Sequence, residues 1–257
     1  PLTHPAPHVM GKKARKERVE VIGDIELFAR AVNALPENER PRVIAVTGSN
    51  GKSTTTALIG HILKDLGRAA HVGGNIGLPA LSLPALRAGA TYVLELSSFQ
   101  LDLVSSLRAN TAILLNFSPD HIDRHGDMNG YIAAKRRVFL KQRADDCAVV
   151  GVDDRVCAAL SAAGGRRVLP ISSEGALGKG VFALGGKLFY TIGEKGGEAG
   201  DISRIPTLQG AHNWQNACAA LAAAIEEGVA PNVAVKAMER YAGLPHRMEI
   251  VARRGEI

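Results

Sequence analysis

The chain has 257 residues, 46% of them hydrophobic and 22% charged, values that are typical of a globular protein and exclude a disordered chain. The longest uninterrupted apolar run, residues 217–225, is far shorter than the roughly 20 residues of a membrane-spanning helix, so we expect no membrane insertion. The 31 basic and 25 acidic side chains leave a net charge of +6, which suits small polyphosphate ligands. Aromatic residues make up only 4% of the chain, too few for a surface on which nucleic-acid bases stack, so we expect no nucleic acid.

The first 36 residues predict only short elements. Three prolines fall within residues 1–7, and a helix at about 8–18, a strand at 19–22 and a helix at about 25–34 follow. A segment of this size cannot bury a core of its own. We interpret it as the closing part of a preceding domain or as an N-terminal decoration.

From residue 42 onwards the pattern predicts an α/β fold. Continuous apolar runs, which are typical of strands covered on both faces, occur at residues 42–47, 69–73, 91–96, 111–116 and 147–152. Segments of helical length separate them, such as residues 52–66, so we predict a mostly parallel sheet flanked by helices. A hairpin with Gly185 and Gly186 in its turn is predicted at 181–192 as a small subsidiary sheet. A helix at about 213–227 and another that begins after Pro231 are expected to follow.

The segment TGSNGKST, residues 47–54, joins the first of these strands to a helix and is predicted to bind phosphate. Gly48 and Gly51 let backbone N–H groups turn towards one anion, and the following helix presents its positive end to it. Lys52 is expected to reach the terminal phosphates, and the Ser53 hydroxyl is expected to ligate Mg²⁺. The common motif GxxxxGK[ST] has glycine where Val46 stands here, so the loop is a shortened version of that motif.

Two further groups of polar residues follow predicted strands at the carboxyl edge of the sheet, where ligands bind in open α/β folds. Glu95 lies near the end of the apolar run at 91–96 and offers the carboxylate oxygen that Mg²⁺ prefers. Residues 116–127 combine histidines with carboxylates, which indicates a second metal or acid–base chemistry. Two alternatives stay open for this segment: a zinc site, for which it offers no cysteine, and a polar loop with helix N-caps.

Three other polar residues are ambiguous when taken alone. Lys135 is typical of a cation on a helix surface. Asn213 and Asn216 open the helix predicted at about 213–227 and lie on one face of it. An asparagine can recognise the donor and acceptor edge of adenine, and it can equally cap a helix.

Six segments together resemble the Mur ligase family. They are TGSNGKST (47–54), GGNIGLPAL (73–81), ELSSFQLD (95–102), NFSPDHIDRHGDMNGYIAAK (116–135), LQGAHNWQNA (208–217) and GLPHRME (243–249). Their order and spacing cover essentially everything from Arg42 to the end of the chain, and Val46 fits this family's own short loop. The resemblance implies a P-loop-type domain of the central Mur ligase kind.

The resemblance also implies an ATP-dependent amide ligase of peptidoglycan precursor synthesis. ELSSFQLD is similar to the members that add D-glutamate. In these, ATP phosphorylates the carboxylate of UDP-N-acetylmuramoyl-L-alanine (UDP-MurNAc-L-Ala), and the amine of D-glutamate attacks the acyl phosphate. A P-loop kinase or NTPase, and a nucleotide-binding module without ligase activity, are the alternatives. We expect a monomer. The three scattered cysteines indicate reduced thiols, and the sequence does not open with the charged and then apolar segment of a secretory signal. We therefore expect a cytoplasmic protein.

Residue roles follow from the same resemblance. Lys52, Lys135 and His121 would be catalytic. ATP would lie on Gly48, Ser49, Asn50, Gly51, Lys52, Ser53, Thr54, Asn213, Asn216 and Arg247, and the muramoyl substrate on Asn75, Ser97 and Gln100. Two Mg²⁺ ions, replaceable by Mn²⁺, would be bound. Ser53 and Glu95 would hold the first ion, and His121 and Lys135 would hold the second, with Lys135 as a carbamate. Because carbon dioxide reacts only with a neutral amine, this carbamate requires a Lys135 that is desolvated or held by metal.

The family has three domains, which divides the chain into three parts. Residues 1–36 would be a remnant of the first, UDP-binding domain, residues 37–243 the central ATP-binding domain, and residues 244–257 the start of the C-terminal domain. The C-terminal domain supplies further nucleotide and D-glutamate contacts in the family. We therefore expect this chain alone to bind nucleotide weakly and to ligate poorly or not at all.

Overall fold

The computed structural model describes residues 16–17 and 19–244, and one nine-stranded sheet forms its centre. The strands are β1 (Arg42–Thr47), β2 (Ala70–Gly74), β3 (Thr91–Glu95), β4 (Thr111–Leu114), β5 (Cys147–Gly151), β6 (Arg167–Ser172), β7 (Gly180–Leu184), β8 (Lys187–Ile192) and β9 (Lys195–Asp201). The α-helices of this part are α1 (Asp24–Ala34), α2 (Lys52–Asp65), α3 (Ser98–Asp102), α4 (Ile122–His125), α5 (Met128–Arg136), α6 (Arg155–Ala162), α7 (Ala211–Glu226) and α8 (Pro231–Met238). Within the described residues, no helix combines the length and the hydrophobicity that a membrane span requires.

Strand β1 lies where the direction of the chain through the sheet changes. The strand order is β2-β3-β1-β4-β5-β6-β7-β8-β9, and the pairings from β2 to β7 are parallel. After β1 the chain crosses to β2 at the edge, returns through β3, and then continues with β4 on the other side of β1. In open α/β sheets the ligand crevice lies at such a switch point, outside the carboxyl ends of the strands. The loop after β1 is therefore placed where a ligand is expected.

Helices cover both faces of the sheet, which explains why its strands are apolar throughout. Ile44 and Val46 of β1 belong to the core under α2 and α7, whereas Val43 and Ala45 belong to the core under α1 and α5. Successive side chains of a strand point to opposite faces, so a strand that is covered on both sides has no polar face.

The five predicted apolar strands are confirmed to within two residues at each end, and so are the helices predicted at 52–66, at about 213–227 and after Pro231. The predicted hairpin is confirmed as β7 and β8, and it extends the main sheet because β7 pairs in parallel with β6. The sequence pattern missed β6 and β9. Pro170 lies in the middle of β6, and β9 (KGGEAGD) has Ala199 as its only buried residue.

Two expectations for the N-terminal segment have different outcomes. The helix predicted at about 25–34 is confirmed as α1. The strand predicted at 19–22 is wrong, because Val19 and Val21 are exposed and these residues join no strand of the sheet. The helix predicted at about 8–18 lies almost entirely outside the described residues.

A buried carboxylate attaches α1 to the rest of the domain. Glu26 accepts hydrogen bonds from the backbone N–H groups of Ser105 and Ser106 at 2.8 and 3.0 Å, from both serine hydroxyls, and from Arg30 at 2.9 Å. Burial alone would raise the pKa of Glu26, but these donors outweigh burial and lower the pKa to about 2. The ionised form is therefore part of the folded state.

We expect Glu26→Gln to lower the free energy of unfolding at pH 7 by about 3 kcal/mol, because the amide cannot accept from all five donors and directs its own N–H groups at some of them. The pKa of Glu26 is lower in the folded than in the unfolded chain, so its contribution is present above pH 4.5 and is lost as the pH falls towards 2. Urea unfolding between pH 7 and pH 2.5 measures both effects. Glu39→Gln, at an exposed position, is the control, and equal curves for Glu26→Gln and wild type at pH 7 would contradict the prediction.

Candidate active site

The loop between β1 and α2 is built tightly against α7. Gly51 is the N-cap of α2 and has a left-handed backbone with φ of 84°, a conformation that favours glycine. A Cβ atom at this position would overlap Oδ1 of Asn216, which lies on α7. The second loop glycine is therefore required by both its backbone angle and a neighbouring side chain.

Asn116, two residues after the end of β4, holds the loop from the other side. Ser49 N–H donates to the carbonyl of Asn116 at 3.0 Å, and Asn50 N–H donates to Oδ1 of the same residue at 2.9 Å. The Asn116 amide also donates to the Asn50 carbonyl and to Gln215 of α7, both at 3.3 Å. Two backbone N–H groups of the loop are thus already used within the protein, so its preformed shape depends on Asn116.

Two lysine ammonium groups meet at one carbonyl of this loop. Lys52 Nζ donates to the carbonyls of Gly48 at 3.0 Å and Ser49 at 2.8 Å, and Lys135 Nζ donates to the carbonyl of Gly48 at 2.8 Å. Each lysine comes from a different helix, α2 and α5, and their positive charges are close enough that Lys52 lowers the pKa of Lys135. The loop therefore concentrates positive charge where the sequence predicts the terminal phosphates.

Lys135 is a core residue and not a surface cation. Its side chain is 2% exposed, and its Nζ lies 4.7 Å from the centre of the Tyr131 ring. Burial, and to a smaller extent the charge of Lys52, lower the pKa of Lys135 to about 7 against the opposing effect of the Asp120 and Glu95 carboxylates. An amine with this pKa is largely neutral at mildly alkaline pH, which is the state that the carbamate prediction requires.

Glu95 is the residue whose surroundings fit a metal ion best. It ends β3, is 2% exposed, and its Oε1 accepts from the Asn75 side chain at 2.7 Å. Its Oε2 is buried and has no hydrogen-bond partner among the residues that the structure describes. Because a buried carboxylate oxygen without a partner is costly, this atom fits a hard cation such as Mg²⁺. Ser53, the predicted co-ligand, is buried in the first turn of α2.

The cluster at 116–127 is only partly assembled. His121 has a left-handed backbone (φ 52°), its side chain is 48% exposed, and its ring lies 4.8 Å from that of Phe99. His125, four residues on, is turned away: its Nε2 is hydrogen-bonded to Ser98 Oγ at 2.9 Å, and its Nδ1 lies 3.5 Å from Asp102. Among the described residues, no three His, Cys, Asp or Glu side chains gather into a metal cluster. The zinc alternative therefore gains no support.

Asn213 and Asn216 lie together at a cavity beside the loop. Asn216 donates to Asn213 Oδ1 at 3.2 Å and accepts from Thr55 at 3.3 Å. Asn213 donates to the Gln209 carbonyl at 3.0 Å. Neither side chain caps α7, whose N-cap is Gly210, so the capping alternative is wrong. The cavity, of about 350 Å³, is lined by Asn50, Gly51, Thr54, Thr207, His212, Asn213, Asn216, Tyr241, Gly243 and Leu244.

The three residues predicted to contact the muramoyl substrate, Asn75, Ser97 and Gln100, lie near Glu95 and form hydrogen bonds within the protein. Ser97 and Gln100 form a capping box at the start of α3, in which Ser97 Oγ accepts from Gln100 N–H at 3.2 Å and Gln100 Oε1 accepts from Ser97 N–H at 3.1 Å. Asn75 orients Glu95 as described above. Their contact with substrate stays a prediction, as do the roles of Ser49, Asn50 and Thr54. Arg247 lies outside the described residues.

The sequence did not single out two residues that shape this site. Tyr131 bonds Ser49 Oγ at 3.0 Å and covers the Lys135 ammonium with its ring. Asn116, the first residue of the polar segment after β4, holds the loop. A tyrosine one helical turn before Lys135 is a usable signal for the first. No local pattern identifies the second, because its partners are 66 and 99 residues away.

Comparison with known proteins gives matches over most of the chain. The Mur ligase middle domain matches residues 46–224. A protein of Caulobacter vibrioides named UDP-N-acetylmuramoylalanine–D-glutamate ligase is 54% identical over the whole chain, which covers 55% of that relative. A protein of the same name from Paramagnetospirillum magneticum is 47% identical over 98% of the chain, covering 53% of the relative. The chain thus spans about half the length of the curated relatives it matches.

Solved structures show the same fold. A crystal structure of MurF from Acinetobacter baumannii matches 86% of this chain and 50% of its own, with a TM-score of 0.65 and 26% identity. A UDP-N-acetylmuramoyl-L-alanyl-D-glutamate–2,6-diaminopimelate ligase matches 82% of this chain and 48% of its own, with a TM-score of 0.63 and 24% identity, a likeness of fold alone. Because the middle-domain model matches more than half of the chain and two named ligases are 54% and 47% identical to it, the chain belongs to the Mur ligase family.

Proposed function

We propose that this chain carries the ATP-binding part of an ATP-dependent, ADP-forming amide ligase that joins D-glutamate to UDP-MurNAc-L-Ala in peptidoglycan precursor synthesis. The observation that carries the proposal is the pair of lysines, Lys52 and Lys135, that donate to the Gly48 carbonyl beside the unpartnered Glu95 oxygen. A relative from Caulobacter vibrioides with this activity in its name is 54% identical to the chain.

The proposed reaction needs charge neutralisation and positioning more than covalent help. Transfer of the terminal phosphoryl group of ATP to a carboxylate brings anionic oxygens of both reactants together. Lys52 places a cationic group where these oxygens would meet, and the helix α2 adds the positive end of its dipole. The acyl phosphate would then lose phosphate as the amine of D-glutamate forms the amide.

A divalent cation, Mg²⁺ or Mn²⁺, completes this arrangement in the proposal. Glu95 and Ser53 would hold the first ion, and His121 with a carbamylated Lys135 the second. Such ions stabilise negative charge on phosphoryl oxygens when they are bound. As an amine, Lys135 is a hydrogen-bond donor to Gly48 and no ligand, so the second position depends on its modification.

The surroundings of Lys135 support the carbamate hypothesis. The neutral amine would add to carbon dioxide to give a carbamate and one released proton. Burial supplies the neutral amine, because the pKa of Lys135 is lowered to about 7. The new carboxylate would face the ammonium group of Lys52, which lies on the same carbonyl. An exposed lysine at this position would instead stay protonated.

The cavity beside the loop is the proposed place of the adenosine part of ATP. Asn213 and Asn216 present amide groups to it, and Gly51 and Thr54 join it to the phosphate loop. Gly48, Ser49, Asn50 and Arg247 complete the proposed nucleotide contacts, and Asn75, Ser97 and Gln100 the proposed muramoyl contacts. We also infer that the protein acts as a monomer in the cytoplasm; its three cysteines, all buried and unpaired, support a reducing compartment.

Turnover of a chimera tests the proposal and separates it from its alternatives. Residues 46–224 of this chain would replace the matching segment of the Caulobacter vibrioides relative, which supplies the regions outside the match. We expect ADP release only when UDP-MurNAc-L-Ala is present, formation of the D-glutamyl product, and loss of at least 100-fold in rate with Glu95→Gln. Coupled spectrophotometry and mass spectrometry measure these quantities.

Other outcomes would contradict the proposal in distinguishable ways. ADP release without the sugar-peptide substrate would favour a P-loop kinase or NTPase. Binding of ATP by calorimetry, with no ADP release under any combination of substrates, would favour a nucleotide-binding module. Glu194→Gln, at an exposed carboxylate in the turn between β8 and β9 and within the transferred segment, is the matched control and should leave the rate unchanged.

A further inference from the structure

A second cavity, of about 190 Å³, lies on the side of the sheet covered by α5 and α6. It is lined by Arg136, Phe139, Val150, Leu160, Ala163, Gly164, Arg166 and Val168. None of these residues lines the nucleotide cavity described above. The second cavity is thus a separate feature of the described part of the chain, and the proposed ligase reaction does not use it.

Two arginines dominate the polar lining of this cavity. Arg136 is the last residue of α5, and Arg166 precedes β6. The Arg166 guanidinium carbon lies over the Phe139 ring, 4.9 Å from its centre. The N–H edge of the guanidinium is left to bond in the plane of the group, the direction in which a guanidinium binds an oxyanion with two parallel hydrogen bonds.

Among the described residues, neither Arg136 nor Arg166 takes part in a salt bridge, whereas Arg108, Arg167 and Arg240 each do. The pKa values of the two kinds of arginine shift in opposite directions. Burial and the neighbouring Arg136 lower the pKa of Arg166, whereas carboxylate partners raise the pKa of Arg108. Two like charges that face one partly enclosed space repel each other unless an anion joins them.

The rest of the lining is apolar. Val150, Leu160 and Val168 form walls beside the two guanidinium groups, with the Phe139 ring below Arg166. A simple inorganic anion would leave these walls unused. A ligand with one anionic head and a small apolar body would use both parts of the cavity.

We propose that this cavity binds the phosphate group of a small phosphate monoester, with Arg136 and Arg166 on the phosphate oxygens and the ester body against Val150, Leu160 and Val168. The charge of a phosphate monoester, between −1.5 and −2 near pH 7, matches two guanidinium groups. A carboxylate carries half of that charge and leaves one guanidinium uncompensated.

Titration by ¹H–¹⁵N NMR, with phenyl phosphate and inorganic phosphate as probes, tests the proposal on the chain itself. We expect shifts of the amides of Gly164, Gly165 and Val168 and of the Arg166 side-chain N–H, and three- to tenfold tighter binding of phenyl phosphate at these resonances. Shifts confined to the amides of the β1–α2 loop would show that phosphate binds at the nucleotide site alone and would overturn the proposal.

Three variants and a control make the result specific. Arg136→Gln and Arg166→Gln should each weaken phenyl phosphate at least fivefold, and both side chains are exposed enough that folding should not depend on them. Ala163→Phe should fill the cavity and weaken binding while keeping both charges, which separates a cavity from a merely basic surface. Arg87→Gln, elsewhere on the chain, should change nothing. Unchanged affinity in either arginine variant or in Ala163→Phe contradicts the assignment.

Discussion

Replacement of Gly51 by alanine should destabilise the protein by about 2–5 kcal/mol and weaken nucleotide binding at least tenfold. Two separate effects add up here. A left-handed backbone is about 1–2 kcal/mol less favourable for alanine than for glycine. The new methyl group would also overlap Oδ1 of Asn216, so that α7 or the loop must move, at a further cost of about 1–3 kcal/mol. Chemical denaturation and calorimetric titration with ATP measure the two results.

Gly67 provides a matched control for this prediction. It also has a positive φ, of 72°, but a Cβ atom there would meet nothing within 4 Å. Gly67→Ala should therefore show the backbone effect alone, about 1–2 kcal/mol, and leave ATP binding unchanged. In the double variant Gly51→Ala, Asn216→Ala the two losses should be less than additive, because the second substitution removes the overlapping atom. Equal destabilisation by Gly51→Ala and Gly67→Ala would refute the role of Asn216.

The second large effect concerns Lys135, for which stability and activity should change in opposite directions. The pKa of Lys135 is about 7 in the folded chain against an ordinary value of 10.5, so the folded state binds the proton more weakly than the unfolded state. The lowered pKa of Lys135 reduces the free energy of unfolding. The reduction has its full size below pH 7 and disappears as the pH rises to 10.5. Lys135→Met should therefore raise the free energy of unfolding by up to about 5 kcal/mol at pH 6, and by less at each higher pH.

Ligation by the chimera should nevertheless be lost with Lys135→Met. Lys135→Ala should be inactive too, and short carboxylates such as acetate should restore part of its activity if a carbamate carboxylate is what the lysine contributes. Lys52→Met is the control for stability, because the Lys52 side chain is only partly buried and should show a smaller gain. Unfolding curves that do not converge as the pH rises, or no rescue by acetate, would contradict the two parts of this prediction.

Much of the fold could be predicted because its strands are local signals. Val43 to Val46 form an uninterrupted apolar run because both faces of β1 are covered, and the same holds for β3 and β5. The loop after β1 could also be predicted, since a glycine-lysine-serine turn between a strand and a helix has few other uses. These features depend on residues that are neighbours in the chain.

The rest depends on contacts between distant residues. β9 becomes a strand because β8 offers it a partner, although its own composition of glycine and charged residues predicts none. The burial of Lys135 requires Tyr131 above it and the loop carbonyl of Gly48 beside it, 87 positions away. The close approach of Asn216 to Gly51 brings together two residues that are far apart in the sequence. None of these follows from a local pattern, so spacing alone describes Lys135 as a surface cation.

The composition of β9 has a consequence for behaviour at high protein concentration. This strand ends the sheet at one edge, where an unpaired backbone could recruit a strand of another molecule. Lys195, Glu198 and Asp201 place charges along it, and the register with β8 shifts between Leu188 and Phe189 so that the pairing becomes irregular. A charged edge strand with an irregular register is a poor template for pairing with another molecule, and it protects the fold from edge-to-edge aggregation.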